Sequence, residues 1–285
     1  MLKNKIVSER YLNSLHLIND FKNKYSSEKP YPNIIIPNFF NEKFLDDIIS
    51  EFPDLRNLED TKSYNNKNEI KLASNDFKKF PNKIKEIFNY LNSEEFLKFL
   101  QFVTSIKEKL IADKDLNGGG LHEIKRGGLL KVHTDFNRHP TLPLDRRLNI
   151  LIYLNKNWKE EYGGELQLWD KDMKSCVKKI PPLFNTLVIF STTDFSNHGH
   201  PDPLMCPSDK SRRSLATYYY SEGRPKNEVL INKKNRTEFK DREGFNNETF
   251  KKNEIFKNFL RKFKFYQNLK DFEKRYFRSG NNKNK

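Results

Sequence analysis

His133 and Asp135, two residues apart, and His198, 65 positions beyond His133, are the residues of this chain best suited to chemistry. Two imidazoles and one carboxylate can occupy a single face of an iron ion, leaving three positions for a bidentate co-substrate and dioxygen. Residues two apart on a strand project to the same side, so Val132 to Asp135 must be extended for both side chains to reach one metal. The third ligand must then come from a distant strand, and His198 is suitably remote. Arg212 supplies a planar fork for a carboxylate, and Ser214, two residues on, faces the same way. A His-x-Asp pair alone is a common accident of sequence. The arginine-x-serine pair and the surrounding elements turn the set toward an iron-dependent oxygenase.

Those elements are short strands. Gly127-Gly128 reads as a tight turn feeding Leu129 to Val132. From Arg147 to Asn155, the chain alternates Asn149, Leu151 and Tyr153 on one face with Leu148, Ile150, Ile152 and Leu154 on the other. Asn149 and Tyr153 thereby become candidates for polar contacts to co-substrate or substrate. Gly163-Gly164 precedes the strand Glu165 to Trp169, and a further strand runs from Thr186 to Phe190. Arg212 to Tyr220, rich in β-formers, reads as the last. Ahead of them, Phe44, Leu45, Ile48, Ile49 and Phe52 mark an amphipathic helix stopped at Pro53. Ile84, Ile87, Phe88 and Leu91 mark a second, and Ser93 followed by Glu94 and Glu95 opens a third. The polar stretch 54–76 reads as loop.

The segments "GGGLHEIKRGGLLKVHTDFN", "RRLNILIYLN", "YGGELQLW", "NTLVIFST", "NHGHPDPL" and "RRSLATYYY" occur in this order. Together they resemble the catalytic domain of prolyl 4-hydroxylase-like 2-oxoglutarate/Fe(II) oxygenases over roughly residues 117–222. The earlier "NIIIPNFFNEKFLDDIISEFP" resembles that family's lead-in strand and helix. The resemblance implies a mainly β fold with flanking helices, built on a double-stranded β-helix (a cupin-like jelly roll). It also implies Fe(II), 2-oxoglutarate and O2 as requirements, with ascorbate supportive. His133 and Asp135 match the proximal ligands and His198 the distal one. His200 competes for that last role, although the register favours His198. Arg212 and Ser214 match the pair that binds the co-substrate's distal carboxylate, and Arg213 reads as a solvated neighbour. Halogenating relatives lack the carboxylate ligand, so Asp135 implies hydroxylation. The chain departs from the family's prolyl hydroxylases at Leu130, where some carry tyrosine, and at Leu166, where they carry threonine. An amino-acid, peptide or small-molecule substrate therefore fits the resemblance, with a prolyl residue one choice among these.

Composition bounds the rest. The 285 residues suffice for one sizeable domain with an appendage, here 1–225 for the oxygenase and 226–285 for a basic, helical C-terminal extension. Residues 226–285 hold 18 Lys and Arg against 8 Asp and Glu, a local excess of +10 within a total of +15. In this extension Phe250, Ile255, Phe256, Phe259, Leu260, Phe263 and Phe272 fall near helical spacing. Its basic face would suit nucleic acid or an anionic membrane surface. Two other readings stand beside the oxygenase: a non-hydroxylating metal-binding cupin, and a binding module acting through that extension. Cys176 and Cys206 form no disulfide framework, no apolar run approaches membrane-spanning length, and the N-terminus lacks a signal-like core. A cytoplasmic enzyme is the expectation.

Overall fold

A computed structural model describes residues 3–12, 14–230 and 234–242. The chain opens with helices α1 (Lys3–Ile6), α2 (Glu9–Leu12) and α3 (Leu15–Ser27), then strand β1 (Asn33–Pro37) and helix α4 (Glu42–Glu51). Strands β2 (Lys62–Asn65) and β3 (Glu69–Ser74) precede α5 (Asn82–Leu91) and α6 (Glu94–Thr104). The remainder is β: β4 (Ile111–Ala112), β5 (Gly120–Lys125), β6 (Leu129–Thr134), β7 (Asp145–Tyr153), β8 (Leu166–Trp169) and β9 (Cys176–Ile180). Then follow β10 (Thr186–Ser191), β11 (His198–His200), β12 (Ser211–Ser221) and β13 (Glu238–Phe239).

These strands form one curled antiparallel sheet in the order β1-β10-β7-β12-β5-β3-β6-β11-β8-β9, the jelly-roll arrangement expected from the sequence. Alternation decides which side chains face which layer. On β7, Leu148, Ile150 and Ile152 are fully buried in the main core, together with Leu187 and Ile189 of β10 and Leu215 and Tyr219 of β12. The helices cover that face through Phe44, Leu45 and Ile48 of α4, Ile84, Ile87 and Phe88 of α5, and Phe96, Leu100 and Val103 of α6. Each such side chain contributes on the order of 1.5–3 kcal/mol of apolar burial, which fixes the outer layer rigidly behind the barrel. The helix starts follow their caps. Asn41 Oδ1 accepts from Phe44 N at 3.1 Å and Ser93 Oγ from Phe96 N at 3.3 Å.

One segment differs from the sequence reading. Within 54–76, residues 62–74 form the β2–β3 hairpin, turned by Asn66, whose side chain accepts from Asn68 N and Glu69 N. The first half of β3 pairs with β6 and the second half with β5, so this strand bridges the two sides of the barrel. Its alternation looks like a loop because Glu69 and Lys71, together with Ala73, turn toward the cavity rather than an apolar core.

Of the expected extension 226–285, the described part packs against the barrel. Glu238 and Phe239 of β13 pair with Thr134 and His133 of β6, and Lys131 Nζ meets Asp241 at 2.8 Å. The expected helical stripe from Phe250 to Phe272 lies outside the described residues.

Candidate active site

Strand geometry alone brings His133 and His198 together, because they are direct partners across β6 and β11. Their rings stand 4.4 Å apart, centroid to centroid. This close approach depends on Gly199, where an added Cβ would sit 2.7 Å from the Lys131 carbonyl oxygen. Asp135 follows the end of β6, and one ligand atom from each of the three residues lies within 4.8 Å of the others. All three are buried.

The orientation of the rings indicates what they could hold. His133 Nδ1 pairs with Lys131 O at 2.8 Å, and His198 Nδ1 with Ser196 O at 2.9 Å. A carbonyl oxygen only accepts, so each Nδ1 carries the proton and each Nε2 presents a lone pair. Both Nε2 atoms lie 3.5 Å from an Asp135 oxygen. Burial, and then the neighbouring His133, push His198 down to about 4, so it is neutral and ready to ligate at physiological pH. Two lone-pair nitrogens and a carboxylate on one side of a cavity fit a divalent iron with an open face.

Asp135 is itself held. Its Oδ2 accepts from Arg146 Nη2 at 2.8 Å and from Asn149 Nδ2 at 3.1 Å. Burial alone would raise the Asp135 carboxyl, but Arg146, followed by His198 and His133, holds it well below the usual carboxylate range. Arg146 is completely buried, with its guanidinium carbon 3.4 Å from the Tyr218 ring centroid and 4.5 Å from that of Phe136.

The cavity in front of these groups has a volume of 280 Å³. Arg212 and Ser214, both buried, reach it from β12. Arg212 Nε donates to Gly164 O at 2.8 Å and Nη2 to Tyr153 Oη at 3.1 Å, which aims the rest of the fork. Gly164 has φ +81°, and a Cβ there would lie 2.5 Å from Leu204 Cδ2 and 3.1 Å from Arg212 Cδ, so the bare backbone at Gly164 makes room for both side chains. Arg213 points to the other face, where Nε meets Glu123 Oε1 at 3.2 Å. Asn149 reaches the cavity wall and Asp135 together, whereas Tyr153 is buried against Arg212. His200 lines the cavity beyond a bulge in β11, and neither ring nitrogen has a hydrogen-bond partner among the described residues.

Sequence reasoning missed several contributors. His122 of β5, Lys71 of β3, and Thr237 and Phe239 beside β6 all line the cavity, and the Phe239 ring centroid lies 5.6 Å from that of His133. Arg146 left one usable signal: an arginine doublet opening an otherwise apolar strand requires an acid if either member is buried.

Comparison with known proteins agrees with this geometry. Residues 119–220 match the model of the 2OG-Fe(II) oxygenase superfamily. Over these residues the chain is similar to 2-oxoglutarate/Fe(II) oxygenases. Over 79 residues it is 33% identical to the mouse (Mus musculus) protein prolyl 3-hydroxylase OGFOD1, a stretch covering 26% of this chain and 14% of that relative. The oxygenase fold is also that of a Pseudomonas putida prolyl-4-hydroxylase, with a TM-score of 0.53 at 14% identity, over 71% of this chain and all of that one. A Trichoplax adhaerens prolyl hydroxylase, solved with a hypoxia inducible factor peptide fragment, likewise gives a TM-score of 0.53, at 17% identity over 73% of this chain and 90% of that chain. Among the described residues, no helix is long and apolar enough to cross a membrane.

Proposed function

We propose that this protein is a 2-oxoglutarate- and Fe(II)-dependent dioxygenase that hydroxylates an aliphatic C–H bond, of a prolyl or other amino-acid residue in a peptide. The observation that carries this reading is that two imidazoles with fixed tautomers, a carboxylate and the Arg212 fork face one cavity. In this reading His133, Asp135 and His198 hold the metal. Arg212, aimed by Gly164 O and Tyr153 Oη, binds the distal carboxylate of 2-oxoglutarate with help from Ser214. Iron bound there would supply oxygen activation, coupling conversion of 2-oxoglutarate to succinate and CO2 with hydroxylation of the substrate by O2.

The remaining residues bind, orient and exclude water. Tyr218 and Phe136 form an apolar wall beside Asp135, while Phe239 closes the side nearest His133. A peptide substrate is supported by the similarity to the mouse prolyl 3-hydroxylase and to the T. adhaerens prolyl hydroxylase, which was solved with a peptide fragment. The basic excess of 226–285 supports an anionic partner for that extension. The free Cys176 and Cys206 support a reducing, cytoplasmic setting.

The test is turnover. Protein supplied with Fe(II), ascorbate and 2-oxoglutarate should release succinate slowly without substrate, and faster with proline-containing peptides that gain one oxygen. If folded, iron-loaded protein neither forms succinate nor binds 2-oxoglutarate, a non-hydroxylating cupin replaces this reading.

A further inference from the structure

The carboxylate ligand has an unusual partner. Oδ2 of Asp135 receives two donors, and one of them is a completely buried cation whose guanidinium lies over the Tyr218 and Phe136 rings and meets no second carboxylate at salt-bridge distance among the described residues. Ordinary partners of a metal ligand are neutral or anionic and strengthen its donation. A guanidinium does the opposite. It draws charge from the carboxylate and repels any dication that the same carboxylate holds.

We propose that Arg146 is a positioning residue that lowers metal affinity in exchange for a fixed ligand geometry. Arg146 and Asn149 together pin Asp135 through Oδ2, so the carboxylate cannot swing to embrace the metal with both oxygens. A coordination position is thereby kept for the bidentate co-substrate. The two clamps differ in charge, and this separates their effects. Arg146 both orients the carboxylate and repels a dication close by in a buried, poorly screened site, where repulsion dominates. Asn149 only orients.

The inference rests on the metal reading of His133, Asp135 and His198, and Mn(II) alone serves as the probe. Mn(II) affinity is measured by calorimetry, and the Co(II) absorption spectrum reports ligand geometry. Arg146→Met is expected to bind Mn(II) at least tenfold more tightly than the unmodified protein, with a shifted Co(II) spectrum. The Mn(II)-loaded variant should bind 2-oxoglutarate more weakly. Asn149→Ala is expected to bind Mn(II) three- to tenfold more weakly. Damage to the fold cannot tighten binding, so a merely structural role for Arg146 predicts the opposite sign. Arg146→Gln, which can still donate to Oδ2 without charge, repeats the test where Arg146→Met does not fold. Equal or weaker Mn(II) binding by folded charge-removal variants, or unchanged binding by Asn149→Ala, overturns the proposal. Absence of saturable Mn(II) binding by the unmodified protein overturns the metal reading itself.

Discussion

Acid should destabilise the metal-free protein steeply, and His200 should account for much of the effect. His198 and His200 are 5% and 3% exposed. Burial and His133 push His198 down to about 4, and burial, Arg212 and Lys71 push His200 well below its usual value. The unfolded chain binds a proton at each near pH 6.5. Between pH 6.5 and about 4, the unfolded state therefore carries protons that the folded state does not. Stability falls as pH drops through that window, by about 1.4 kcal/mol per pH unit per imidazole at the limiting slope. From pH 7 to pH 5 this integrates to about 2 kcal/mol for His198, a sizeable share of the 5–15 kcal/mol typical of a domain, and His200 adds a loss of the same sign. His122, pushed to about 3 by burial and then by Lys71 and Arg212, acts in the same sense. Urea unfolding of EDTA-treated protein at pH 7, 6 and 5 measures the slope, and His200→Leu should remove one imidazole's share. That variant also deletes an imidazole without hydrogen-bond partners among the described residues, so it should be at least as stable as the unmodified protein at pH 5. An unchanged pH slope in His200→Leu would refute the reasoning.

Other outcomes follow from the same geometry. Arg212→Met should weaken 2-oxoglutarate binding by about 3–5 kcal/mol, or roughly 150- to 5,000-fold, because a buried carboxylate loses its counter-charge. Arg213→Met, altered on the opposite face, should leave it within a fewfold, both read by calorimetry on Mn(II)-loaded protein under argon. Tyr153→Phe removes the hydroxyl that receives Arg212 Nη2 at 3.1 Å and should cost about 1 kcal/mol of co-substrate affinity, with metal affinity unchanged. His133→Ala, Asp135→Asn and His198→Ala should each abolish tight Mn(II) binding, whereas His200→Ala should retain it. Retention by His198→Ala with loss in His200→Ala would move the distal ligand by two residues.

What was legible in the sequence had a simple period or a short spacing. β7 could be read because Leu148, Ile150 and Ile152 fill an apolar core while Asn149 faces the cavity. His133 and Asp135 could be paired because one strand end carries both. The β2–β3 hairpin was illegible for a matching reason: the inner wall it builds is polar, so its alternation resembles that of an exposed loop. β13 has only two residues, and its place beside His133 is a tertiary fact with no local periodicity. Arg146 and Asp135 are 11 residues apart across a loop, and no sequence rule couples a charge to a partner at that distance.

The Arg146–Asp135 pair also restricts how this active site could change over generations. The resemblance identifies loss of the carboxylate ligand as the step that separates halogenating relatives from hydroxylating ones. Here an alanine at position 135 would leave a completely buried guanidinium facing aromatic rings without its counter-ion. Such a stranded charge costs on the order of 3–5 kcal/mol, enough to threaten folding before any new chemistry could be selected. A vacant coordination position at 135 therefore calls for a change at Arg146 as well, since exchange of position 135 alone strands the buried charge.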